Sequence, residues 1–210
     1  MVLEAFQLKR VFTRAVTLMC IVGLFMAEMF CYVALFPKYE ASQVMAAVFS
    51  FLYAPVLLSF VYLTRECETG IYLVWLILIS SWGCDTCAYV VGKLIGKKHI
   101  FPELSPHKSL EGCIGGVVGA ALIGGLYAHF FVETAFPDRT ITWIIAFICA
   151  AGAVMSMVGD LAASAIKRNH NIKDYGKLIP GHGGIMDRFD SMTVTAPMTY
   201  FLTILMMGLR

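Results

Sequence analysis

T-W-I-I-A-F-I-C-A-A-G-A-V-M-S-M-V-G-D-L-A-A-S-A-I, residues Thr142 to Ile166, is a run of 25 residues holding a single charged side chain, Asp160. As a helix it exceeds the roughly 20 residues that cross the hydrocarbon core of a bilayer. Backbone N–H and C=O groups in lipid must be satisfied within the segment, so a run of this kind is a membrane-spanning helix. Five further runs share its character: Ala15–Phe36, Ser42–Thr64, Ile71–Gly92, Cys113–Phe136 and Phe189–Leu209. The reading is all-α: a polytopic integral membrane helical bundle of about six transmembrane helices with two long cytoplasmic loops. Residues 1–210 form a single transmembrane domain on this reading. Composition agrees: of 210 residues 59% are hydrophobic and 14% charged, with a mean hydropathy of +0.77, whereas soluble domains carry about a quarter charged residues. A net charge of +2 gives no reason to expect a nucleic-acid partner.

The long connections are 93–112 and 167–188, and alternation puts both on one face of the membrane. That face carries ten Lys and Arg against six on the other, which places the loops in the cytoplasm and both termini outside. Lys9, Arg10 and Arg14 precede a run too long for a cleavable leader, so it reads as a retained first span. Seven cysteines, mostly inside apolar runs, behave as small buried apolar residues. Cys84 and Cys87 form a C-x-x-C with no second Cys or His pair to complete a metal site. Glycines crowd the fourth run as G-C-I-G-G-V-V-G from Gly112 to Gly119, a surface for close helix contact.

Chemistry concentrates where charge meets these apolar runs. On the helix of the fifth run, Asp160, Ser164, Lys167 and Arg168 fall at i, i+4, i+7 and i+8 and share a face. Lys167 and Arg168 alone could snorkel to the interface, but an ionisable Asp160 inside a span needs a named partner. Asp187-Arg188-Phe189-Asp190, at the mouth of the sixth run, supplies one. Carboxylates converging from two helices suit Mg²⁺, a hard cation commonly shared with substrate phosphates. Between them lie K-R-N-H-N-I-K-D and Pro180-Gly181-His182-Gly183-Gly184, whose N–H groups and imidazole can turn toward an anion. In the other long block Asp85, Tyr89 and Lys93 are spaced by four, and Lys97, Ser105 and Lys108 follow. Asp85 can equally hold a neighbouring helix by hydrogen bonds.

These residues closely resemble the CDP-diacylglycerol synthase (phosphatidate cytidylyltransferase) family. Its signature S-x-x-K-R-x-x-x-x-K-D-x-x-x-x-x-P-G-H-G-G-x-x-D-R-x-D runs here without a gap from Ser164 through Lys173 and Asp174 to Asp190. A second block, D-T-x-A-Y-x-x-G-(K/R)-x-x-G-(K/R) followed by S-P-x-K-(T/S)-x-E-G, matches Asp85 to Gly112. The two blocks fall within 82–112 and 156–190. Family members usually carry additional N-terminal spans, and this chain is shorter by two or three.

The resemblance implies an enzyme of phospholipid biosynthesis in a bacterial-type inner or plasma membrane. It would convert CTP and phosphatidate to CDP-diacylglycerol and diphosphate in a cavity facing the cytoplasm and open to membrane lipid, and would form a homodimer. On that reading Asp160 and Asp187 bind Mg²⁺, alone or with a second cation, and Asp190 ligates or orients. Lys167, Arg168, Lys173 and Arg188 hold phosphates; Ser164 and His182 donate to them, with Asp174 beside. Asp85, Tyr89, Lys93, Lys97, Ser105 and Lys108 form the opposing wall. Two other readings stand against it. A CTP-dependent lipid-alcohol kinase would release CDP instead of diphosphate. A transporter lined by Asp85 and Asp160 predicts inverted repeats, which the spans do not show.

Overall fold

A computed structural model describes residues 2–67, 69–102, 104–106, 108–133, 140–176, 178 and 183–208, with the backbone alone for 2–14. Among the described residues the chain is helical in six long segments: α1 Val2–Ala34, α2 Ala41–Glu66, α3 Gly70–Ile95, α4 Leu110–Val132, α5 Thr140–Asn169 and α6 Met186–Met207. Single π turns interrupt α2 at Leu52–Val56 and α3 at Ile79–Gly83, and one ends α4 at Ala128–Val132. Pro55 lies inside the first of them, where its missing N–H relaxes the ladder. Every helix begins before its predicted apolar run, and α2, α3 and α5 also end beyond it, whereas α1 and α6 stop two residues short. Hydrophobicity marks the bilayer core, whereas the backbone ladder continues into the polar interface; α5, at about 45 Å, is long enough for both.

Five segments are apolar enough to cross a membrane by composition: Ala15–Ala34, then α2, α3, α4 and α5. At 22 residues α6 is longer than only the first of them, and it is less apolar. Asp187, Arg188 and Asp190 open it, and Ser191, Thr195, Thr199 and Thr203 run along one face at four-residue spacing, all buried. It spends its polar face inside the bundle.

Two compact units emerge, 1–53 and 54–210. In the first, α2 starts with a capping box in which Glu40 and Gln43 exchange side chain and backbone bonds. The second contains the predicted signature blocks. At one end Leu73, Leu76, Val132, Ile145 and Ile148 make a cluster joining α3, α4 and α5. Toward the other end, small residues set the helix spacing. A Cβ at Gly116 would lie 2.9 Å from Cys84 Sγ, and one at Gly119 would run into Cys87. The C-x-x-C is thus seated on α4 glycines, and both thiols are free. Gly152 and Gly159 do the same on α5, where Ser80, Thr199 and the backbone of α6 close in.

Candidate active site

Gly159 decides where the site can form. A Cβ there would lie 3.1 Å from the Asp190 carbonyl oxygen and 3.2 Å from Ser191 Cα. The start of α6 therefore rests on α5 one residue from Asp160. Two turns on, the Lys167 ammonium donates to Asp187 Oδ1 at 3.0 Å and stands 3.7 Å from Asp190 Oδ2. All three side chains are nearly buried, at 12%, 7% and 10% exposure. Asp187 Oδ2 also accepts the N–H groups of Tyr175 and Gly184, each at 2.9 Å. Gly183 turns with φ +81°, a conformation that L side chains rarely adopt. Asp190 Oδ1 accepts the Ser191 N–H at 2.8 Å.

The opposing wall is organised by its backbone. Glu111 Oε2 accepts the N–H groups of Lys97 and Lys98, at 3.1 and 3.2 Å. Ser109 caps α4 by accepting the Gly112 N–H at 3.1 Å. His99 pairs with Ser109, the Leu110 N–H donates to Lys98 at 2.8 Å, and the Lys108 N–H donates to Ser105 at 3.2 Å. This folded connection carries Lys108 to Asp160, where the ammonium meets Oδ2 at 2.7 Å.

Asp85, Asp160 and Asp190 lie within electrostatic reach of one another, with Lys108 and Lys167 among them. Adding Asp187, four carboxylates face two ammonium groups, 4 − 2, a surplus of two negative charges. Hard oxygen donors in charge excess suit a divalent cation. Among the described residues Asp160, Asp187 and Asp190 are not gathered as one group of ligands. Asp160 turns to Lys108, and Asp187 turns to Lys167. The arrangement fits Mg²⁺ in its usual form, held by one or two carboxylates with substrate phosphates and water completing the shell.

Other predicted residues lie farther out. Arg168, Lys173, Asp174 and Arg188 are exposed, and Ser164 is half-buried on α5. The Lys93 ammonium stacks over the Tyr89 ring at 5.8 Å, both exposed. Lys97 and Ser105 enter the site's architecture through backbone bonds. His182, like Pro180 and Gly181, lies outside the described residues. Three residues were given no role by the sequence reading, although Glu111 stands in its second block. Tyr175 places its ring 5.3 Å from the Lys167 ammonium and donates its hydroxyl to Ala163 at 3.3 Å. Trp82 Nε1 donates to the Arg188 carbonyl at 3.4 Å. Glu111 ties down the loop; a serine followed two residues on by a carboxylate at a helix start is the signal that points to it.

The family model described as "Cytidylyltransferase family" matches residues 1–206. The phosphatidate cytidylyltransferase of Haemophilus influenzae is 40% identical over 139 residues, 66% of this chain and 48% of that protein. That of Bacillus subtilis is 37% identical over 135 residues, 64% and 48%. The Thermotoga maritima phosphatidate cytidylyltransferase is 36% identical over 172 residues, 78% of this chain and 62% of that one. The chain spans about half the length of the curated relatives it matches.

Proposed function

This chain belongs to the cytidylyltransferase family, that of the CDP-diacylglycerol synthases, and we propose that it converts CTP and phosphatidate to CDP-diacylglycerol and diphosphate. The observation that carries the reading is the buried Lys167–Asp187–Asp190 cluster next to the Lys108–Asp160 pair, built from α5, α6 and the connection before α4 of a membrane bundle. A phosphatidate phosphate oxygen attacks the α-phosphorus of CTP; the new P–O bond forms as the α–β bond breaks and diphosphate leaves. The nucleophile is already an anion, so no strong base is required. The obstacle is the approach of two polyanions, which calls for fixed positive charge.

Lys108 and Lys167 are held in place by their carboxylates and can exchange them for substrate phosphates. Arg168, Lys173 and Arg188, exposed beyond them, draw the triphosphate in, with Ser164 and His182 as further donors. Asp187 and Asp190, with Asp160 opposite, would hold Mg²⁺, which supplies charge neutralisation on the transferring phosphoryl group. The Tyr175 ring, 5.3 Å from the Lys167 ammonium, helps to fix it. The site opens to the cytoplasm, where CTP is found, and the enzyme works as a homodimer.

The purified protein in liposomes with phosphatidate, Mg²⁺ and CTP labelled at the α-phosphate is expected to release diphosphate and place the label in lipid. Asp187→Asn should lower the rate by about a hundredfold or more, the range for losing a group that acts on transition-state charge. Phosphorylated lipid with free CDP would instead establish a kinase, and a near-normal Asp187→Asn rate would remove the metal role.

A further inference from the structure

The first hairpin holds a carboxylate that nucleotidyl transfer does not use. Glu28 lies on α1 within Ala15–Ala34, a stretch of mean hydropathy 2.0. Its Oε1 is buried and receives no hydrogen bond. An ionisable side chain at such a position is a functional candidate, because an unpaired buried charge is costly. Glu28 faces a cavity of about 290 Å³ between α1 and α2, whose wall also carries Tyr32, Tyr39 and Gln43. The Gln43 carbonyl oxygen is committed to the Glu40 N–H at 3.0 Å, which leaves its NH₂ as a donor. Lys38, exposed next to the cavity, holds its ammonium 5.4 Å from the centre of the Tyr39 ring. Phe30, Val33, Phe36, Met45 and Phe49 on the same two helices and their turn are exposed and apolar.

A carboxylate inside the cavity, an amide donor on its wall and an ammonium beside it complement one molecule with opposite charges a few atoms apart. We propose that the α1–α2 hairpin binds the headgroup of a zwitterionic phospholipid bearing a primary ammonium. The ammonium donates to Glu28, and the phosphate is taken by Lys38 and the Gln43 amide. The acyl chains lie along the exposed apolar side chains. A quaternary ammonium has no N–H for Oε1, and an anionic headgroup brings no cation to Glu28. The site stands apart from cytidylyl transfer, and neither reading rests on the other.

The test is native mass spectrometry of the full chain titrated with dioleoyl phosphatidylethanolamine, phosphatidylcholine and phosphatidylglycerol. The ethanolamine lipid should bind tightest, by roughly tenfold, the worth of a hydrogen bond to a charged group. Glu28→Gln should bring it to the level of the choline lipid, whereas Lys38→Gln should weaken both, since both carry phosphate. Equal binding of the two zwitterions by the unmodified protein, or a preference that survives Glu28→Gln, overturns the proposal. Should Glu28→Gln fold poorly, the unmodified protein and Lys38→Gln, altered at an exposed side chain, still decide it.

Discussion

Lys167 touches both Asp187 and Asp190 in nearly buried surroundings, so its loss separates two roles. Lys167→Met strands two carboxylates without their counter-charge, and breaking a buried pair in this way costs about 3–5 kcal/mol. Its melting temperature in detergent should fall clearly below that of Asp187→Asn, which keeps the shape and removes one charge, while both lose cytidylyl transfer. Asp187, on the first turn of α6 ahead of the apolar run, also sets a pH dependence. Burial pushes its carboxyl up, but the Gly184 N–H, the Lys167 ammonium and the Tyr175 N–H outweigh that and hold it below its ordinary value. The stabilisation is therefore present above the unfolded-state value and is lost as pH falls through the folded one. The melting gap between the unmodified protein and Asp187→Asn should narrow as acid is added, and a constant gap would contradict this account. Lys167, Asp187 and Asp190 were legible in the sequence because charge beside an apolar run is unusual. Tyr175 was not, because an aromatic in a loop carries no such contrast until its ring is seen against Lys167.

At the scale of helices, close approach rather than large side chains packs α3 against α4 within the 82–112 signature block. A Cβ at Gly112 would fall 2.8 Å from the Ala88 carbonyl oxygen and 3.2 Å from Gly92 Cα, so α3 and α4 would have to part. At Gly125, on the same helix, a Cβ would meet only Ala146 at an ordinary 3.7 Å. Gly112→Ala should therefore destabilise by about 1–3 kcal/mol, and Gly125→Ala should be neutral or stabilising by up to about 1 kcal/mol from helix propensity. Thermal melts of the pair check this, and equal shifts would deny that approach is limited at Gly112. The glycine run declared tight packing from sequence, but which glycines face a backbone depends on the helix partner. Cys84 and Cys87, read from sequence as small apolar residues, are seated against Gly116 and Gly119 of α4. The starts of α2 to α6 lie one to three residues ahead of the apolar runs, since a hydrophobic run stops at the lipid boundary and the hydrogen-bond ladder does not.

For the molecule as a membrane protein, the site requires both long connections of the second unit at one face. Lys108, before α4, meets Asp160 on α5, and Lys167, at the end of α5, meets Asp187 on α6; the 96–109 connection and two helices carry these contacts. Cys67, between α2 and α3, then belongs to the opposite face, since α3 crosses once between it and the 96–109 connection. The number of crossings was legible in five of six helices from hydropathy alone; α6 was read from a run that its own buried hydroxyls dilute. Which face is cytoplasmic rests on the Lys and Arg asymmetry, ten against six, and part of that excess consists of the very side chains proposed to bind phosphate. A membrane-impermeant maleimide separates the two causes. In right-side-out vesicles Cys67 should be labelled, and Lys173→Cys in a Cys67→Ser background should not; inverted vesicles should give the reverse. Labelling of both from one side would break the helix alternation. An exchanged pattern would put Lys108 and Lys167 where no cytoplasmic nucleotide reaches them, leaving the clustered charge without its substrate.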